Sequence, residues 1–321
     1  MLQFVVVSRF PPPVGGVTVF AQRKVAELTR RGNRVEKIDF NNPTWALKLI
    51  RFAITQRHTC FLINTLNPLV LSAFWMLGLL DRCSVYDHNA SRHYLKSSIK
   101  KLLLIFFSRR VGQMIVVHKR LQGFYNKYGV LTDIESPFLP PDVTRKEDVF
   151  NGYPKSLLDF IATTQHQVIL NSAWRYVGDA NGNDLYGVRC TLELLRRLIE
   201  MKISVRLVFA FGEFNRTKIP QDIQEEIHSL EQTGIIYLLD GQHELWPLFH
   251  HVDLFLRTTS TDGESVSVLE SIYFECPVVA SDVVSRPEGT ITYEYENINQ
   301  LTDIVAKSLA KKKLLTQICA K

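Results

Sequence analysis

Val252-Asp253-Leu254-Phe255-Leu256, Thr261-Asp262-Gly263-Glu264-Ser265-Val266-Ser267-Val268-Leu269-Glu270 and Pro277-Val278-Val279-Ala280 follow one another closely. The first and last are short apolar runs, as buried strands are, and Ser267 to Phe274 alternates as a buried helix does. Strand, short polar loop, helix and strand in succession specify an α/β unit with a parallel sheet. At such a junction the unpaired amides from about Ser265 to Val268 can face a diphosphate. Asp262 leads the loop, where a sugar would lie, and Glu270, about two turns in, can accept hydrogen bonds from ribose hydroxyls. The alternative is that both acids simply complement the helix dipole.

Outward from this passage the same rhythm fills the chain. Strand candidates at Phe4–Val7, Val35–Ile38, Cys60–Ile63, Cys83–Tyr86 and Gln113–Val117 alternate with helical stretches near 17–31, 44–56, 68–80, 95–109 and 119–128. Gly32 is a helix stop and Asn67-Pro68 a helix start. Pro137 to Pro141 and the polar residues to Asp148 read as a linker. Strands near Val168–Asn171, Val205–Ala210, Ile235–Leu239, Asp253–Leu256 and Pro277–Ala280 then alternate with helices near 185–201, 221–232, 242–250, 265–275 and 297–315. The expectation is two doubly wound domains, 1–145 and 146–321, with the last helix free to pack back on the first domain. Their carboxyl sheet ends should border one central cleft, where open α/β sheets bind ligands.

The 321 residues are 46% hydrophobic and 22% charged, enough to bury two cores. Residues 1–150 hold 22 lysines and arginines against 10 acids, and the remainder 16 against 22. Lys96, Lys100, Lys101, Arg109 and Arg110 flank the apolar run Leu102 to Phe107, which reads either as a segment for an anionic membrane surface or as an α/β helix with solvated basic ends. No aromatic and basic stripe suggests nucleic acid. No run is long enough to span a bilayer and the start has no secretory pattern, so a cytoplasmic protein, peripheral on the membrane at most, is expected. Cys60, Cys83, Cys190, Cys276 and Cys319 are scattered as reduced thiols.

Three further places could carry chemistry. Gly15-Gly16, after the first strand, lets the backbone approach a ligand, or makes a tight turn. His88, at the carboxyl end of the fourth strand, suits a proton donor or a hydrogen bond to a sugar hydroxyl, or else satisfies loop carbonyls; Asp87 and Arg92 are its neighbours. Arg175, just beyond the first strand of the second domain, can clamp a diphosphate. The chain lacks Gly-x-Gly-x-x-Gly, the P-loop, the hydrolase elbow, the zinc helix and Asp-x-Asp, so no metal is called for.

The passage from Thr261 to Glu270, continued through Cys276-Pro277-Val278-Val279-Ala280-Ser281-Asp282 and Arg286-Pro287-Glu288-Gly289, resembles the donor-site signature of glycosyltransferase family 4, in particular a bacterial polysaccharide subgroup. That resemblance implies a GT-B fold and a retaining, metal-independent transfer of a sugar from a nucleotide-diphosphate-sugar to a glycan or lipid-linked acceptor, without a cofactor. It implies that Gly15 and Gly16 lie against the donor phosphate or the acceptor and His88 near the reaction centre. Arg175 and the amides around Gly263, Glu264, Ser265, Val266, Ser267 and Val268 would hold the diphosphate, Glu270 the ribose and Asp262 the sugar. Two departures stand out: Asp262 replaces a Glu, and Tyr186 stands where the family has a Lys, so that either Arg175 bears the leaving-group charge alone or Arg189 or the first domain compensates. A donor-binding scaffold without transfer activity, or an epimerase of the same architecture, are the competing readings.

Overall fold

The computed structural model describes residues 3–55, 59–88, 98–162, 165–178 and 184–319. The chain divides into two compact units, residues 1–141 and 142–321. The first runs β1 (Gln3–Ser8), α1 (Gly16–Arg30), β2 (Arg34–Asp39), α2 (Trp45–Thr55), β3 (Thr59–Ile63), α3 (Pro68–Met76), β4 (Cys83–Asp87), α4 (Ser98–Ser108), β5 (Gln113–Val116), α5 (Lys119–Asn126) and β6 (Asp133–Ile134). All pairings are parallel, in the order β2-β1-β3-β4-β5-β6. The inner strands β1, β3 and β5 are apolar runs because both faces are covered, while the edge strands β2 and β6 are polar and partly exposed. Val5 and Val7 enter one core with Leu49, Leu71 and Phe107, while Val6 enters the opposite one with Phe20 and Leu62. The punctuation works as expected: Gly32 takes the left-handed conformation after α1, and Asn67 Oδ1 accepts the Leu69 amide at 3.0 Å with Pro68 opening α3.

The second unit holds α6 (Lys146–Asn151), α7 (Lys155–Ile161), β7 (Gln167–Ala173), α8 (Val188–Glu200), β8 (Val205–Phe211), α9 (Gln221–Gln232), β9 (Ile236–Asp240), β10 (Leu254–Arg257), α10 (Val266–Tyr273), β11 (Val278–Ser281), β12 (Thr290–Tyr293) and α11 (Ile298–Cys319). Its sheet is again parallel, ordered β12-β11-β10-β7-β8-β9. Alternate residues again split between two cores, Ile169, Leu207 and Leu256 on one face and Val168, Leu170 and Phe255 on the other. α11 closes the first of these through Leu301, Val305 and Leu309. The sheet therefore reverses direction between β7 and β10, and the loops leaving those two strands flank the crevice where such sheets take ligands.

Three expectations need correcting. The polar stretch 142–148 is not a linker: Asp142 Oδ1 accepts the Thr144 amide at 3.2 Å and starts a helical turn that runs into α6, and Tyr153, Leu157 and Ile161 then enter the core. The helix expected over 242–250 shrinks to a 3-10 turn at Trp246–His250, opened by Pro247. β6 and β12 are further strands, short and at the sheet edges. Cys60, Cys83, Cys190 and Cys276 are free thiols.

Candidate functional site

In the second unit the loop from β10 to α10 is built around Asp262. Arg257, last residue of β10, donates from Nε to Oδ2 at 3.1 Å and from Nη2 to Oδ1 at 3.2 Å, and Arg286 Nη1 reaches Oδ2 at 2.9 Å. The three side chains are 13%, 9% and 3% exposed for Arg257, Asp262 and Arg286. Burial pushes the Asp262 carboxyl up, and the two guanidiniums more than reverse this, so the group stays below its ordinary value. Arg257 also binds the Ser172 carbonyl on β7, and Arg286 binds the Ser281 carbonyl at the end of β11. One acid thus ties together the ends of three adjacent strands and leaves the cluster with a surplus positive charge.

The loop then opens α10 with its N-terminus uncapped. Ser265 is the N-cap residue but its hydroxyl makes no capping bond, pairing instead with Ser267 Oγ at 3.0 Å. The first-turn amides of Val266, Ser267 and Val268 have no carbonyl within the helix to receive them. α8, which follows β7 across the crevice, differs: Asp184 accepts the amides of Tyr186 at 3.1 Å and Arg189 at 3.0 Å. An anion is therefore already supplied to α8 by the chain and not to α10. Glu270 is buried farther along α10, near enough that it and Glu244 add to burial in raising the Tyr153 phenol. Glu264 is half-buried and its carboxyl is raised by that burial.

Tyr186 and Gly187 form the turn before α8. Gly187 sits at φ +67°, and a Cβ there would meet the Thr258 carbonyl oxygen at 2.1 Å. A buried polar knot locks this contact: Asn171 Nδ2 donates to Thr191 Oγ1 at 2.7 Å, and the Thr191 and Thr258 hydroxyls reach the Gly187 carbonyl at 2.8 and 3.1 Å. The Tyr186 ring lies beneath the Arg257 guanidinium, 5.6 Å from Cζ to centroid. Positive charge is thus present at the Tyr186 position without a lysine. Arg189, one of the candidates to compensate, is drawn instead to Asp222 on the surface. Arg175 follows β7 and is half-exposed, with Glu213 3.9 Å away.

In the first unit the sheet reverses between β1 and β3. His88, after β4, donates from Nε2 to Asn64 Oδ1 at 3.1 Å, which leaves Nδ1 as an acceptor. Its ring packs edge-on to Phe20 and stacks on Tyr86, and burial pushes it down to about 4, so it is neutral at physiological pH. Beside it, Ser8 Oγ and Asn64 Nδ2 are buried at the ends of β1 and β3 without hydrogen-bond partners among the described residues. Gly15 precedes α1 with extended backbone, and a Cβ there would meet nothing nearer than Thr18 Oγ1 at 3.9 Å. The chain itself does not demand glycine at that position. Asp87 is buried and accepts the Tyr125 hydroxyl, a packing role. Arg92 and Lys96 lie outside the described residues.

Sequence reasoning missed Arg257, Ser8, Asn64 and the Asn171–Thr191–Thr258 knot, and gave Arg286 a place in the signature but no role. Arg257 had a signal, a charged residue ending a buried apolar strand. Among the described residues no group of three or more His, Cys, Asp or Glu side chains could hold a metal ion, and no helix is long and apolar enough to cross a membrane.

No family model and no curated protein matches the chain in sequence. Solved structures match it in fold. The crystal structure of Anabaena HepE in complex with UDP superposes with a TM-score of 0.65 at 14% identity, over 97% of this chain and 90% of that one. An α,α-trehalose-phosphate synthase (UDP-forming) from Burkholderia xenovorans gives 0.66 at 12% identity, over 95% and 92%. Sucrose-phosphate synthase from Thermosynechococcus elongatus gives 0.65 at 12%, over 98% and 91%. Two parallel six-stranded sheets matched over nearly the whole length to such structures give this chain the GT-B fold.

Proposed function

We propose that the chain is a retaining glycosyltransferase of family 4 type that moves a sugar from a nucleotide-diphosphate-sugar to a glycan or lipid-linked acceptor in surface polysaccharide synthesis, without a metal. The carrying observation is the uncapped N-terminus of α10, beside a buried cluster of surplus positive charge, at the point where the second sheet reverses. The Anabaena structures with UDP and with UDP-glucose lend support from the same fold. The amides of 266–268 and Arg175 take the diphosphate, Glu270 takes the ribose, and Gly263 and Glu264 meet the sugar. Asp262, with both oxygens held by arginines, positions this loop. His88, neutral, offers Nδ1 to an acceptor hydroxyl. In the transfer the bond from anomeric carbon to phosphate oxygen breaks, the acceptor oxygen bonds to the same face, and its proton passes to the departing phosphate.

The test is calorimetric titration with UDP, GDP and ADP, followed by a transfer assay with sugar conjugates of the base that binds. Binding of one base with release of nucleoside diphosphate in the presence of acceptor is expected. If no nucleotide binds a folded sample, the reading fails. A donor-binding scaffold is the second reading, favoured by the engagement of Asp262 with two arginines; nucleotide binding without turnover would select it.

A further inference from the structure

α2, α3 and α4 cover one face of the first sheet, with Leu49, Phe52, Leu71, Phe74, Leu104 and Phe107 turned into a single core. Their outward faces are not polar. α2 exposes Leu47, Ile50 and Ile54, α3 exposes Trp75 and Met76, and α4 exposes Ile99 and Leu102, with Ile54 and Met76 more than 70% accessible. The spacing on α2, three and then four residues, makes this a continuous stripe. α3 and α4 lie side by side, Trp75 against Phe106 at 5.6 Å, and the Arg110 guanidinium sits 3.7 Å over that same Phe106 ring.

The three helices that make this face carry charge of one sign. Residues 45–55, 68–79 and 98–110 contain Lys48, Arg51, Lys100, Lys101, Arg109 and Arg110 and no Asp or Glu. An apolar stripe alone would suit many partners. Two copies of this face would oppose like charges, and burial in a protein interface would strand ammonium groups away from water. A bilayer surface meets both demands, since acyl chains receive the leucines and isoleucines while anionic headgroups meet the lysines and arginines, with Trp75 at the boundary.

We infer that the outer face of α2, α3 and α4 docks on an anionic membrane surface. α4 then has two roles, its inner residues building the core and its outer residues entering the interface. The inference stands apart from the transfer reading, because nucleotide binding by the second unit neither requires nor reports it.

The test is co-sedimentation of the full chain with phosphatidylcholine vesicles, alone or containing about a third phosphatidylglycerol. Wild-type chain is expected to sediment with the anionic vesicles only. Lys48→Gln with Lys100→Gln should weaken binding about twenty-five-fold, from roughly fivefold per basic residue lost. Ile54→Ser with Leu102→Ser should weaken it about tenfold or more, and Met201→Ser, an exposed apolar residue of the second unit, should not. Melting temperatures should be unchanged, since the altered side chains are exposed. Absence of wild-type binding to anionic vesicles would overturn the proposal. So would a Leu102-dependent dimer with no vesicle binding, or equal binding to vesicles without phosphatidylglycerol.

Discussion

Replacing Asp262 by Ala removes the acid that bridges Arg257 and Arg286, leaving two nearly buried guanidiniums facing each other. Breaking a buried pair by deleting one partner costs about 3–5 kcal/mol, because the survivor keeps its desolvation penalty without its counter-charge. Here one carboxylate serves two arginines and takes four hydrogen bonds from Arg257, Arg286 and the Gly263 amide, so a loss near the upper part of that range is expected. In a unit of this size about 4 kcal/mol lowers the melting temperature by roughly 8–16 °C. Asp262→Asn keeps the shape and some of the bonds and should fall between Ala and wild type. The sign with pH follows from the depressed carboxyl: its contribution is present above the ordinary carboxylate value near 3.9 and is lost as pH falls through the lower folded value. The assay is urea unfolding and calorimetry of the full chain, wild type beside both variants, at neutral pH and in acid. A melting shift of less than about 2 °C for Asp262→Ala would mean that the arginines are solvated and that the cluster does not hold the loop.

Other consequences are as direct. His88, pushed down to about 4, stays neutral in the folded chain while its unfolded counterpart takes up a proton below about 6.5. Stability should therefore fall by up to roughly 3 kcal/mol from pH 6.5 to 4, and His88→Gln should flatten that window in a pH series of urea melts; an unaltered slope would refute the assignment. Gly187→Ala adds a left-handed strain and drives a Cβ into the Thr258 carbonyl, so a destabilisation of about 3 kcal/mol or more is expected by denaturant unfolding, and a wild-type midpoint would contradict the packing. Arg175→Ala removes a half-exposed side chain whose pairing with Glu213 contributes at most about 1 kcal/mol, so the melting point should hardly move. Affinity for the nucleoside diphosphate should drop about 10–100-fold, and unchanged affinity would take Arg175 out of the phosphate contacts.

Most of the fold was legible because its strands are apolar runs bounded by glycine, proline and asparagine, and its helices carry the 3.6-residue period. What escaped notice was short or exposed. β6 is two exposed residues, and β12 pairs by one edge only, although Thr290-Ile291-Thr292-Tyr293 carries a β-branched alternation that could have revealed it. α6 hides behind polar residues because none of its residues is fully buried, and only Val149 and Phe150 pack against the core. The donor-side loop was legible as a loop feeding a helix, but its chemistry was not. Arg286 lies 24 residues from Asp262, and local pattern says nothing about contacts made across neighbouring strands. Likewise the Tyr186 position looks uncharged in sequence, while the structure brings Arg257 over its ring from another strand.

Ser8 and Asn64 bear on what this protein can refuse. A buried hydroxyl and a buried amide without partners among the described residues each carry a penalty of about 1–3 kcal/mol. A ligand that completes both recovers that penalty, and an analogue lacking the matching hydroxyl leaves them stranded, which is how sites built for a hydroxyl reject deoxy compounds far more strongly than apolar pockets reject an extra methylene. Selectivity at the end of the first sheet would then lie in two atoms, Ser8 Oγ and Asn64 Nδ2, that no described residue satisfies.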